Sequence, residues 1–217
     1  MAWIVLGFDG TDAEAPARRA AVRERHLGVI GAMAADGRLA LGVPLFEPDG
    51  RVAGSLMVLS GEAPAALEAY LAEEPFAREG VWARVDSMPG RIAPLPYRRL
   101  PGPSGEPPPR RTHTVILAMD GTDEGAPARR QAARPAHLER MRPAAAEGVL
   151  TLGCAVLDVP AGQMIGSVVV TAHDTDAAAR AFWEQDPYVR QEVWRDLRIW
   201  GTRIAPLPYR PLPGSDG

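Results

Sequence analysis

The sequence predicts an α+β fold made twice over, and three observations carry that prediction. The chain repeats itself, each copy switches between strand and helix periods in the same order, and a proline-rich stretch lies between the copies. Asp9-Gly10-Thr11-Asp12 returns as Asp120-Gly121-Thr122-Asp123, and residues 6–42 match 117–153 at 20 of 37 positions. After one extra residue in the second copy the alignment holds to its end, where RIAPLPYR at 91–98 recurs letter for letter at 203–210. Two copies of about 100 residues are too few and too long for a solenoid, so this is a duplicated domain. The expected division is 1–100, a spacer at 101–111, and 112–217.

Each element of a copy follows from local pattern. Residues 3–8 and 114–119 are short apolar runs suited to buried strands, each ended by an aspartate-glycine turn. Pro16 and Pro127 suit a first helical position, and the Ala/Arg-rich stretches after them read as helices ending near Gly37 and Gly148. Residues 39–46 and 52–59 form a hairpin about Glu47-Pro48-Asp49-Gly50, and 149–156 with 164–171 are its counterpart. A second helix follows at 63–72 and 175–184, then a proline-started turn, then a last strand from Val81 or Val193. The order βαββαβ is the ferredoxin-like plan.

Such a unit leaves one face of its sheet uncovered. Packing two units sheet to sheet buries both faces, so the expected product is an intrachain pseudo-dimer with two-fold-like symmetry. Assembly of further copies through exposed strand edges is compatible with this plan. The spacer PGPSGEPPPRR should be extended and semi-rigid, and the repeated RIAPLPYR tails, with Tyr97 and Tyr209, are expected to pack on the fold.

Composition narrows the chemistry. All 24 basic residues are arginine, and the 217-residue chain has no lysine and no asparagine, which excludes a Schiff-base lysine, a Walker-type lysine and a Cys-His-Asn triad. A net charge of -3, spread evenly over both copies, argues against nucleic acid and anionic membranes as partners. No apolar run reaches spanning length, and the single Cys154 offers no intrachain disulfide. The expectation is a cytoplasmic protein acting on a small-molecule substrate.

Arg134-Pro135-Ala136-His137-Leu138, Glu147-Gly148, Gly166-Ser167 and Asp186-Pro187-Tyr188-Val189 make the second copy resemble the YciI-like, YCII-related domain family. The resemblance implies a dimeric α/β barrel built from two ferredoxin-like units, with a histidine and an aspartate as the catalytic pair of each. Related barrels include muconolactone isomerases and a chloro-hydroxymuconate dehydrochlorinase. The implied activity is acid–base chemistry on small carboxylated or phenolic metabolites, of lyase or isomerase type, with no cofactor and no metal.

The residues support that reading on their own terms. A neutral histidine is the usual general base near pH 7, and a carboxylate on its other ring nitrogen fixes the tautomer. The competing structural role is a helix histidine on a local carbonyl and an aspartate capping the turn at Pro187. In the first copy His26 matches His137, but Glu74 replaces Asp186 and Phe76 replaces Tyr188. The longer carboxylate and lost hydroxyl make His26 with Glu74 the expected weaker, degenerate site, and His137 with Asp186 the principal one. Ser55, Ser167 and Tyr188 are candidate substrate contacts.

The paired Arg18-Arg19 and Arg129-Arg130 suit carboxylate anchoring, although a repeated Arg-Arg on a helix usually marks a solvated face. His113 and His173 lack counterparts in the first copy and read as loop residues, Cys154 as a small buried hydrophobe, and Trp82 and Trp194 as core or interface rings. Two other readings share the fold: a non-catalytic ligand-binding or protein-interaction module, and a haem-binding or monooxygenase barrel.

Overall fold

The computed structural model describes residues 1–61 and 63–215. The first unit runs β1 (Ala2–Asp9), α1 (Ala15–Asp36), β2 (Leu39–Phe46), β3 (Val52–Ser60), α2 (Pro64–Glu73), α3 (Pro75–Arg78) and β4 (Trp82–Ile92). The second repeats it as β5 (His113–Asp120), α4 (Ala126–Ala146), β6 (Leu150–Leu157), β7 (Met164–Thr171), α5 (Asp176–Trp183), α6 (Pro187–Arg190) and β8 (Trp194–Thr202). The proline-started turns are thus single helical turns, α3 and α6. Alternation along β1 sorts its side chains: Trp3 and Val5 pack with Val22, Ile30 and Met33 of α1, while Ile4 and Leu6 join a cluster that reaches Val168 and Val170 of the other unit.

The units do more than stack face to face. Their strands close one eight-stranded barrel in the order β1-β3-β2-β8-β5-β7-β6-β4. The edges expected to be exposed are therefore paired with each other, which removes the liability of an open edge. The two seams differ. At one, β4 and β6 pair through Gly90↔Val156, Arg91↔Ala155 and Ile92↔Cys154. At the other, β2 meets β8 only at Phe46↔Gly201.

Sequence explains this asymmetry. The repeat places Pro44 where the second unit has Ala155, and Arg203 where the first has Arg91. Proline has no N–H to give a ladder. The seam stops short of it, with Thr202 Oγ1 donating to the Pro44 carbonyl at 2.6 Å. Arg203 consequently lies beside an opening rather than within a ladder.

The tails cross between units. Tyr97 Oη donates to the Gly153 carbonyl at 3.3 Å and accepts that residue's N–H at 3.2 Å. Tyr209 Oη does the same on Gly42, at 3.0 and 3.3 Å. The next arginines cap the opposite long helices: Arg98 Nε donates to the Ala146 carbonyl and Arg210 Nε to that of Ala35, where the helix dipole favours a cation. Their stems lie over Gly148 and Gly37, which hold positive φ of 82° and 89°. A side chain there meets both backbone strain and the arginine.

Candidate functional site

Each unit holds the same chain of contacts, and the structure brings together all the paired candidates. The short helix α6 starts at Asp186, whose Oδ1 accepts the Tyr188 N–H at 2.9 Å and lies 2.8 Å from His137 Nδ1. The carboxylate thus serves as N-cap and histidine partner at once; the two roles weighed against each other in the sequence coexist. The His137 ring stacks on Tyr188 at 3.9 Å between centroids. In the first unit Glu74 Oε1 accepts the Phe76 N–H at 3.0 Å and lies 2.6 Å from His26 Nδ1, and His26 stacks on Phe76 at 3.9 Å.

The longer carboxylate of Glu74 reaches its histidine as closely as Asp186 does, at 2.6 against 2.8 Å. Its second oxygen is also held: Tyr70 Oη donates to Glu74 Oε2 at 3.1 Å. The repeat aligns Tyr70 with Phe182, and the shorter Asp186 keeps a buried Oδ2 with no hydrogen-bond partner among the described residues. The first unit's carboxylate is the better satisfied of the two.

Arginine is where sequence reasoning fell short. Arg18 and Arg129 do lie outward, paired with Asp12 and Asp123 at 2.7 and 2.6 Å, and hold those carboxyls well below the usual range. Arg19 and Arg130 turn inward instead. Arg130 Nη1 binds Asp120 at 2.7 Å, and Nη2 donates to Ser167 Oγ at 2.9 Å and the Gly166 carbonyl at 3.0 Å. Its guanidinium lies 4.7 Å from the Tyr188 ring centroid, a cation–π distance. Arg19 repeats this with Asp9, Ser55 Oγ and Phe76. Burial pushes the Asp9 and Asp120 carboxyls above their ordinary value, and the arginines oppose it. Ser55 and Ser167 thus hold arginine, and the retrievable signal was the paired spacing Asp9 to Arg19 and Asp120 to Arg130.

The surroundings of the two histidines differ. A cavity of about 470 Å³ opens against the first unit, lined by His26, Phe76, Arg19 and Ser55 together with Phe46 and Arg203. That volume lies in the usual range for small-ligand sites. Pro107 of the spacer also lines it, and Arg203 Nη1 donates to the Pro108 carbonyl at 2.6 Å. The spacer is therefore a wall of the cavity as well as a tether. His26 Nε2 makes no hydrogen bond among the described residues, which leaves its second ring nitrogen free for a ligand.

Trp82 and Trp194 are buried beside the histidines, their rings edge-on at 6.5 and 6.0 Å. Cys154 is buried and its thiol is pushed up to about 12. His113 opens β5 rather than lying in a loop, and burial lowers it, with His173 adding to the effect. Among the described residues no cluster of His, Cys, Asp and Glu could hold a metal ion, and no helix is long and apolar enough to cross a membrane.

A model of the YCII-related domain matches residues 1–89 and again 113–203. The chain belongs to the YCII-related domain family. Both YCII-related copies carry the histidine–carboxylate pair. No curated protein sequence matches the chain.

Among solved structures, a heme-binding protein from Thermus thermophilus is similar at 14% identity and TM-score 0.56, over 93% of this chain and 90% of that one. A mutant chlorite dismutase from Candidatus Nitrospira defluvii gives 13% and 0.54, over 95% and 92%. These likenesses span both YCII-related units and show the shared dimeric α/β barrel fold. A 5-chloro-2-hydroxyhydroquinone dehydrochlorinase from Burkholderia phenoliruptrix AC1100, in complex with 2,5-dihydroxybenzoquinone, gives 20% and 0.36 over 40% of this chain and 89% of that one.

Proposed function

We propose that this YCII-related protein is an enzyme of lyase or isomerase type that moves a proton on a small carboxylated or phenolic molecule, with a histidine–carboxylate pair as acid and base. The observation that carries this reading is His26 on the cavity wall with Nδ1 held by Glu74 at 2.6 Å. With Nδ1–H donating to the Glu74 carboxylate, Nε2 keeps the lone pair that accepts a substrate proton, and the carboxylate stabilises the imidazolium that forms. Phe76 fixes the ring plane by stacking, and Arg19 fixes Phe76 in turn. His137 with Asp186 is the duplicate pair. Because His26 lines this cavity, we assign the principal role to His26 rather than to His137, which the family letters favour.

The test is solvent-deuterium incorporation into a panel of unsaturated and phenolic carboxylates, followed by proton NMR. His26→Ala is expected to slow exchange by about 10²–10⁴-fold, the usual worth of a positioned general base, and His137→Ala by less. A non-catalytic module of the same fold gives a different pattern: a panel member binds, His26→Ala leaves that binding unchanged, and neither protein incorporates deuterium.

A further inference from the structure

The first-unit cavity has a charge character that the histidine pair does not need. Four arginines line it, Arg19, Arg23, Arg51 and Arg203, against two aspartates, Asp9 and Asp12. Both aspartates are spoken for, Asp9 by Arg19 and Asp12 by Arg18, each at 2.7 Å. Arg23, Arg51 and Arg203 have no carboxylate within ion-pair distance among the described residues, and four minus two leaves the lining at +2. Uncompensated guanidiniums around a partly apolar cavity invite a planar anion, since the fork of N–H donors matches a carboxylate.

Arg203 is the best placed of the three. It is half-buried, stands 5.5 Å over the Phe46 ring, and is held by the Pro108 carbonyl. Burial, and then the nearby Arg23 charge, lower it from its ordinary value, a strain that a bound anion relieves. Its counterpart Arg91 is exposed and sits in the paired seam opposite Ala155. The difference traces to Pro44, which interrupts β2–β8 pairing and leaves Arg203 at the opening. The second unit also has Gln163 where the repeat aligns Arg51.

We propose that the first-unit cavity is a cross-unit site for a small planar dicarboxylate, with Arg203 from the second unit's tail as the anchoring residue and Arg23 and Arg51 completing the clamp. This deepens the acid–base reading and rests on it for the identity of the cavity as substrate site. The second unit then supplies specificity to the first. Duplication on one chain makes that division stable, because only one of two otherwise equivalent seams needs to open.

Isothermal titration calorimetry with isophthalate as the probe, and benzamide as its uncharged control, tests the site. Isophthalate is expected to bind, benzamide at least tenfold more weakly. Arg203→Gln should weaken isophthalate at least tenfold and Arg23→Gln in the same direction, with melting curves confirming both folds. Should Arg203→Gln fail to fold, Arg23→Gln and a fall in wild-type affinity between 20 and 200 mM salt decide the matter. Absence of isophthalate binding, equal binding of benzamide, or a folded Arg203→Gln with wild-type affinity overturns the site. Arginine-dependent binding without deuterium exchange leaves this site standing and sinks the acid–base reading; exchange with affinity indifferent to Arg203 does the reverse.

Discussion

Replacing Arg130 by methionine is expected to lower the unfolding free energy by about 3 kcal/mol at pH 7, the low end for breaking a buried ion pair, and by less as the pH falls. The Arg130 side chain bridges Asp120, Ser167 and the Gly166 carbonyl, and both charged side chains are buried although Asp120 as a residue is only half-buried. Methionine keeps the stem's packing and removes the partner, which strands the carboxylate.

The pH dependence follows from the direction of the Asp120 shift. Burial raises that carboxyl above its ordinary value, with Arg130 the main opposing influence. A carboxyl raised in the folded state contributes stability that is present below its unfolded value and lost as pH rises through the folded value. Without Arg130 the folded value climbs further, so the deficit grows toward neutrality and shrinks on acidification. Urea denaturation of both proteins at pH 5 and pH 7 checks this. A deficit equal at both pH values contradicts it.

Tyr97→Ala is expected to cost about 3–5 kcal/mol, as for other large buried aromatics, and Tyr97→Phe about 1–2 kcal/mol for the two hydrogen bonds to Gly153. Tyr97 is only 3% exposed and reaches from the first unit's tail to β6 of the second. Its loss therefore loosens the barrel's closure as well as local packing. Tyr209→Ala, at a half-buried position, should cost less. Thermal unfolding by circular dichroism reads the order; a Tyr97→Ala melting point within a degree or two of wild type would show that the tails do not clasp the barrel.

What was legible in the sequence was whatever local pattern or repetition could carry. The βαββαβ order needs only the switch between periods of 2 and 3.6, so β3 and β7 fall where expected, and the pairing of His26 with Glu74 followed from aligned copies. The barrel itself came from the family resemblance and is observed, but local pattern alone did not reach long-range closure. An edge-paired barrel and two merely stacked sheets share one apolar pattern, and the choice between them rests on registers such as Arg91↔Ala155 that no local window contains. Arg19 and Arg130 were misleading for a related reason: on a helix, adjacent arginines differ by about 100° in direction, and only the third dimension shows that one meets Asp9 or Asp120. The family letters report the pair and favour His137, whereas the cavity beside His26 is lined by Pro44, Arg203 and Pro107, which lie outside those letters.

The central claim is that the first unit's cavity is the working site, with His26 and Arg203 on one ligand. Crystals soaked with isophthalate test it most directly. The account predicts density in that cavity, its ring beside His26 and a carboxylate at about 2.7–2.9 Å from the Arg203 guanidinium. Density beside His137 alone, with the first cavity holding only water, would contradict it.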